Sequence, residues 1–135
     1  MLIPIGEPKP QPVFTSQVKM LFKKGKLRGV RYGIYGDELN LKNVTDEHVI
    51  PKSWGGVNTD DNIALASRIN NNKRGNRPLS EFITAETLKQ YIDQFMDINL
   101  PEWNFKGKVY IQNLLNSINK ALDMEKKMKH IDIQA

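Results

Sequence analysis

The chain has 135 residues, 39% of them apolar and 26% charged. That length suits one domain with a single core, and that balance excludes disordered and fibrous chains. There is no cysteine, only two histidines (His48 and His130), and a net charge of +5, which excludes disulfides, thiolate nucleophiles and cysteine- or histidine-rich metal centres. No apolar run approaches the ~20 residues of a membrane span. Met1–Ile5 is short and lacks the basic start of a secretory signal. A cytoplasmic protein without a membrane partner is the expectation.

The charge is concentrated. Residues 1–36 hold seven bases and one acid, whereas residues 37–135 are close to neutral with 13 bases and 14 acids. Lys19, Lys23, Lys24, Lys26, Arg28 and Arg31 follow one another without an acid between them. Such a stretch suits a phosphate backbone, or else a solvated helix face followed by a basic loop.

In chain order, Pro4, Pro8, Pro10 and Pro12 predict an extended arm over residues 1–14. Thr15 or Ser16 can cap a short helix with Val18, Leu21 and Phe22 on one face, ended by Gly25. Gly29, Gly33 and Gly36 among aromatics predict a tight knuckle. Asn43–Pro51 reads as a strand closed by Pro51. Residues 63–66 read as a second, short strand, and Ser67–Lys73 as a helix ended by Gly75 and Pro78. Thr84 caps a helix to about Asp97, with Leu88, Tyr91, Ile92 and Phe95 inward. Lys106–Lys129 is a long amphipathic helix. Its stripe is Val109, Ile111, Leu114, Leu115, Ile118 and Leu122, extended by Met124 and Met128.

The informative residues lie in the middle. Glu47-His48-Val49-Ile50-Pro51 is followed by Asn62 at 14 residues from His48, Asn71 at 23 and Gly75 at 27. Each piece alone is weak, since a lone histidine on a strand is more often structural; the combined spacing is specific. Over roughly residues 30–80 the chain resembles the HNH endonucleases of phages and mobile elements, and the HNH module of RNA-guided CRISPR nucleases. The resemblance implies an α+β fold: a ββα-metal finger core, flanking α-helices and a mostly helical C-terminal part. It divides the chain into the arm (1–14), a basic helix with the nuclease core (15–80), and a helical extension of the same domain (81–135).

The resemblance also implies site roles. His48 matches the general base and Asn62 the asparagine that holds the histidine loop. Glu47 and Asn71 match the ligands of a Mg2+ ion, for which Mn2+ can substitute. Three consecutive asparagines leave the register open between Asn70, Asn71 and Asn72. Many relatives carry two zinc-binding cysteine pairs. Here Gly33-Ile34-Tyr35-Gly36 and Ser67-Arg68-Ile69-Asn70 stand in their places, so a version without structural zinc is expected. The apolar residues around Val30, Tyr32, Ile34 and Tyr35 are expected to replace that staple.

The chemistry agrees with these residue types. An imidazole with pKa near 6.5 can take a proton from water at neutral pH, if a hydrogen bond to its other nitrogen orients it. A backbone carbonyl near Asn62 is the expected partner. Magnesium takes oxygen ligands, often only one or two from the protein. Lys23, Lys24, Lys26, Arg28, Arg31, Lys73, Arg74 and Arg77 are the candidate phosphate contacts. The leading expectation is a metal-dependent endonuclease acting on DNA, with RNA left open, as a nickase or double-strand cutter. The alternatives are a cleavage-inactive nucleic-acid-binding module and a phage packaging or assembly subunit. A phage or host protein partner is compatible with the long C-terminal helix, and double-strand cutting by one active site per chain would need a homodimer or two events.

Overall fold

The computed structural model describes the backbone of residues 17–134 and the side chains of residues 17–128. The proline-rich arm, the Thr15/Ser16 cap and the His130 side chain lie outside the described residues. The fold is α+β. Helix α1 (Gln17–Lys23) precedes an antiparallel hairpin of β1 (Val44–His48) and β2 (Ile63–Ser67), which runs directly into α2 (Arg68–Arg74). Helix α3 (Ala85–Phe95), a two-residue hairpin of β3 (Asn99–Leu100) and β4 (Phe105–Lys106), and α4 (Gly107–Gln134) complete it. Among the described residues no helix is long and apolar enough to cross a membrane.

The hairpin pairs Val44 with Ser67 through to His48 with Ile63. The expected strand reaches Pro51, but the ladder ends at His48. Beyond it, Val49 N–H still bonds Asn62 O (3.0 Å), while the Asn62 side chain takes over the Ile50 backbone. Every residue of β2 is buried. Tyrosine hydroxyls also serve its backbone: Leu65 N–H donates to Tyr91 Oη (2.9 Å), and Tyr110 Oη donates to Ile63 O (2.7 Å). The two hydroxyls meet at 2.8 Å. Burial holds both phenols well above the ordinary tyrosine range. Buried backbone groups need such partners, so α3 and α4 are tied to β2 by polar bonds as well as by apolar packing.

The knuckle before β1 docks beside Leu65, where Ile34 N–H bonds Leu65 O (2.9 Å). Gly33 permits the approach, because a Cβ there would lie 2.9 Å from Leu65 O and 3.0 Å from Ala66 Cα. Asp37 completes the junction by accepting from Ser67 N–H at 2.5 Å. Gly33 and Ser67 therefore gather around the Asp37 carboxylate. Val30 and Ile34 are buried in the core as expected of the staple residues. Tyr32 instead bonds Gln94 through its backbone, and Tyr35 turns to Glu47.

Local signals explain the helices. Asp60, 42 and 43 residues away in sequence, accepts from Gln17 N–H (3.0 Å) and Val18 N–H (3.3 Å) at the start of α1. Ser67 caps α2 and Gly75 N–H closes it on Asn71 O. Thr84 and Thr87 cap α3 reciprocally. On α4, Tyr110, Ile111, Leu114, Ile118 and Ala121 form the buried face. The expected stripe needs correction at both ends, and at the far end Met128 is 40% exposed. Val109 is 52% exposed, because its neighbour Tyr110 takes the inward position and one residue is a 100° rotation. Ser117 and Asn113 bond Asp61, and Glu125 accepts from Leu79 N–H and Ser80 N–H. Helix α4 thus straps both ends of the β2–α2 segment.

Candidate functional site

Side chains alternate along β1, so Glu47 and His48 leave on opposite faces. Glu47 lies on the side covered by α2 and is 2% exposed. Its Oε2 accepts from the Tyr35 hydroxyl and pairs with Arg74 Nη1 at 3.3 Å. Burial pushes the Glu47 carboxyl above its ordinary 4.5, against the opposing pull of Tyr35 and Arg74. Desolvation outweighs the partners, as expected for a sealed ion pair. The Tyr35 phenol is likewise held above its ordinary range by burial and by the Glu47 charge. Its ring packs on Phe82 at 5.8 Å.

Arg74 requires a correction. The sequence assigns it to phosphate contact, but it is 0% exposed. Its guanidinium is consumed internally by Glu47, by His48 O (3.0 Å) and, through Nε, by Arg77 O (2.8 Å). The position explains this: Arg74 lies three residues after Asn71, one helical turn along the face that meets β1. Nη2 remains buried without a hydrogen-bond partner.

Of the three consecutive asparagines, Asn71 faces β1. Its Nδ2 donates to Thr45 Oγ1 (3.0 Å) and Asp46 O (2.9 Å). Asn70 closes the helix cap through its N–H, and Asn72 is exposed. No hydrogen bond joins the Asn71 and Glu47 side chains among the described residues. Asn71 Oδ1 and Glu47 Oε1 receive no hydrogen bond from those residues either. This donor set, one carboxylate and one amide oxygen, fits magnesium in kind. A cation there would share Glu47 with the Arg74 guanidinium.

On the opposite face, His48 is half-buried. Its Nε2 lies 2.6 Å from Asn58 Oδ1, so a side chain stands where a backbone carbonyl near Asn62 is expected. Asn62 is 1% exposed and holds the intervening loop at both ends. Its Oδ1 accepts from Ile50 N–H (2.8 Å), and its Nδ2 donates to Ile50 O (2.9 Å) and Val57 O (3.0 Å).

The basic candidates divide by exposure. Lys23, Lys24, Lys26, Arg28, Arg31 and Lys73 are exposed. Lys24 also lies over the Trp103 ring at 5.1 Å. Arg77 is exposed but pairs with Glu81 at 2.9 Å and sits over Phe82. Lys24, Lys26 and Arg28 line one side of a groove closed by Ile98, Asn99, Leu100 and Glu102.

Sequence reasoning does not single out Asn58, Asp37 or the inward Arg74. Only Arg74 carries a readable signal, its helical phase with Asn71. No family model, curated protein or solved structure matches this chain.

Proposed function

We propose that the chain is a metal-dependent endonuclease of the HNH type that hydrolyses DNA phosphodiester bonds. The observation that carries this reading is the placement of His48. It ends β1 of a hairpin that leads straight into α2, its loop is clamped by buried Asn62, and its Nε2 meets a fixed oxygen. An imidazole held in that way presents its other nitrogen, Nδ1, to a water molecule. The water oxygen attacks phosphorus, its proton passes to Nδ1, and the P–O3′ bond breaks. The leaving oxygen then takes a proton from solvent. Glu47 and Asn71 would hold the magnesium ion, which when bound supplies charge neutralisation at the phosphate and leaving oxygen. The exposed bases of residues 23–31, with Lys73, would hold the phosphate backbone.

One observation favours a second reading. Glu47 is closed into an ion pair with Arg74, an arrangement that also suits a nucleic-acid-binding module without cleavage. Incubation of supercoiled plasmid with the protein, with magnesium or with a chelator, separates the two. Magnesium-dependent conversion to nicked circles supports the endonuclease. Retarded but uncut plasmid under both conditions supports the binding module.

A further inference from the structure

The endonuclease reading needs an oriented imidazole, and the loop after β1 contains the means of orienting it. We propose that Asn58 is the positioning residue of His48, fixing the ring as the Nε2–H tautomer and leaving Nδ1 as its basic nitrogen. The catalytic consequence rests on the endonuclease reading; the tautomer does not.

Asn58 Oδ1 lies 2.6 Å from His48 Nε2. A carboxamide oxygen only accepts, so Nε2 must carry the proton, and a neutral imidazole then has its lone pair at Nδ1. Asn58 is itself exposed, so its position has to come from elsewhere. It comes from the preceding residue, whose carbonyl, Val57 O, accepts from Asn62 Nδ2 at 3.0 Å. Asn62 is sealed in the core and fixed by two bonds to Ile50. The loop is also drawn against the end of β1. Gly56 N–H bonds Pro51 O (3.0 Å), and a Cβ on Gly56 would lie 1.7 Å from Ile50 O and 2.8 Å from Asn62 Nδ2. Only glycine allows that approach. The order of support is therefore Asn62 to Val57, Val57 to Asn58, and Asn58 to the ring. Asn62 acts on His48 without touching it, through the residue that does.

The chain has only two histidines, which makes the tautomer directly observable. Long-range nitrogen–proton correlations are recorded on the full-length 15N-labelled protein at pH 8.5. A His130→Gln background identifies the His48 ring. The wild type should show Nε2 as the protonated nitrogen. Asn58→Ala should give a mixture of tautomers. It should also lower single-turnover plasmid nicking on the order of 10–100-fold, with DNA affinity changed by less than about twofold. Asn58→Asp, which keeps an acceptor oxygen, should restore the Nε2–H form. A wild-type ring protonated at Nδ1, or an Asn58→Ala ring that stays in the Nε2–H form, overturns the proposal. A tautomer that switches in a chain that nicks no DNA supports the positioning role and removes the endonuclease reading alone.

Discussion

Replacing Arg74 with Met removes a guanidinium and keeps most of the side-chain volume. The wild-type group is fully buried and bonds Glu47 Oε2, His48 O and Arg77 O. Without it, Glu47 at 2% exposure becomes an unpaired buried carboxylate, and two backbone carbonyls lose a donor. Breaking one partner of a buried pair costs roughly 3–5 kcal/mol, and the two carbonyls add to that unless water reaches them. Proton uptake by Glu47, whose carboxyl is already raised by burial, offsets part of the loss near neutral pH. The expectation is therefore a loss of roughly 3–4 kcal/mol, a large fraction of the 5–15 kcal/mol typical of a domain. Urea unfolding measures it: with a slope of about 1–3 kcal/mol/M, the midpoint should fall by roughly 1–4 M. If Arg74→Met does not fold, Arg74→Lys keeps the charge without the fork and should lose less. Adding Glu47→Leu to Arg74→Met should recover part of the loss, because a buried pair is often replaceable by apolar groups. A loss below about 1 kcal/mol for Arg74→Met would return Arg74 to the solvent-exposed candidates for phosphate contact.

Asp60 predicts a pH dependence. Burial raises its carboxyl from 3.8 to about 6 although it accepts two backbone bonds. A raised carboxyl favours folding below its unfolded value, and that contribution is lost as pH rises from about 4 to 6. Asp60→Asn keeps the acceptor for α1 and loses the charge. It should therefore be more stable than wild type at pH 7 by roughly 1–3 kcal/mol, with the difference gone near pH 4 in thermal melts. Changing Lys23, Lys24 and Lys26 to Ala together should weaken DNA binding across all sequences. A titration against salt should show the log–log slope flattened by roughly two to three; an unchanged slope removes this patch from the interface. Asn71→Ala should raise the magnesium concentration needed for nicking, whereas Asn70→Ala should not. The reverse pattern would move the ligand by one residue.

Much of the secondary structure is legible because its signals are local. Ser67 with Gly75 brackets α2, and Thr84 marks the start of α3. The mix of strand and helix is legible in the β-branched Val44, Val49 and Ile50 and the apolar run at 63–66, beside the helical stripes. The β3–β4 hairpin is not legible, because two-residue strands carry no period. Asn62 is legible as a loop anchor through the family resemblance, which its spacing to His48 helps to carry. Asn58 is not, since an asparagine in a polar loop reads as ordinary turn chemistry until the clamp at Val57 is seen. Arg74 reads as a phosphate contact because charge patterning ignores helical phase. Asp37 and Tyr35 act through partners 30 and 12 residues away, and a contact at that separation leaves no local mark. The start of the α4 stripe illustrates the same limit. Val109 and Tyr110 both fit an apolar face, and only packing against Phe95 and Phe105 selects the tyrosine.

In the proposed reaction His48 is the base of a phosphodiester hydrolysis. The most direct test is single-turnover cleavage of an end-labelled DNA duplex in magnesium, by wild type and His48→Ala, with binding to the same duplex measured in parallel. Cleavage should fall on the order of 10²–10⁴-fold while the dissociation constant stays within about twofold. Cleavage by His48→Ala at the wild-type rate would contradict it, and so would a wild type that binds the duplex and leaves it intact.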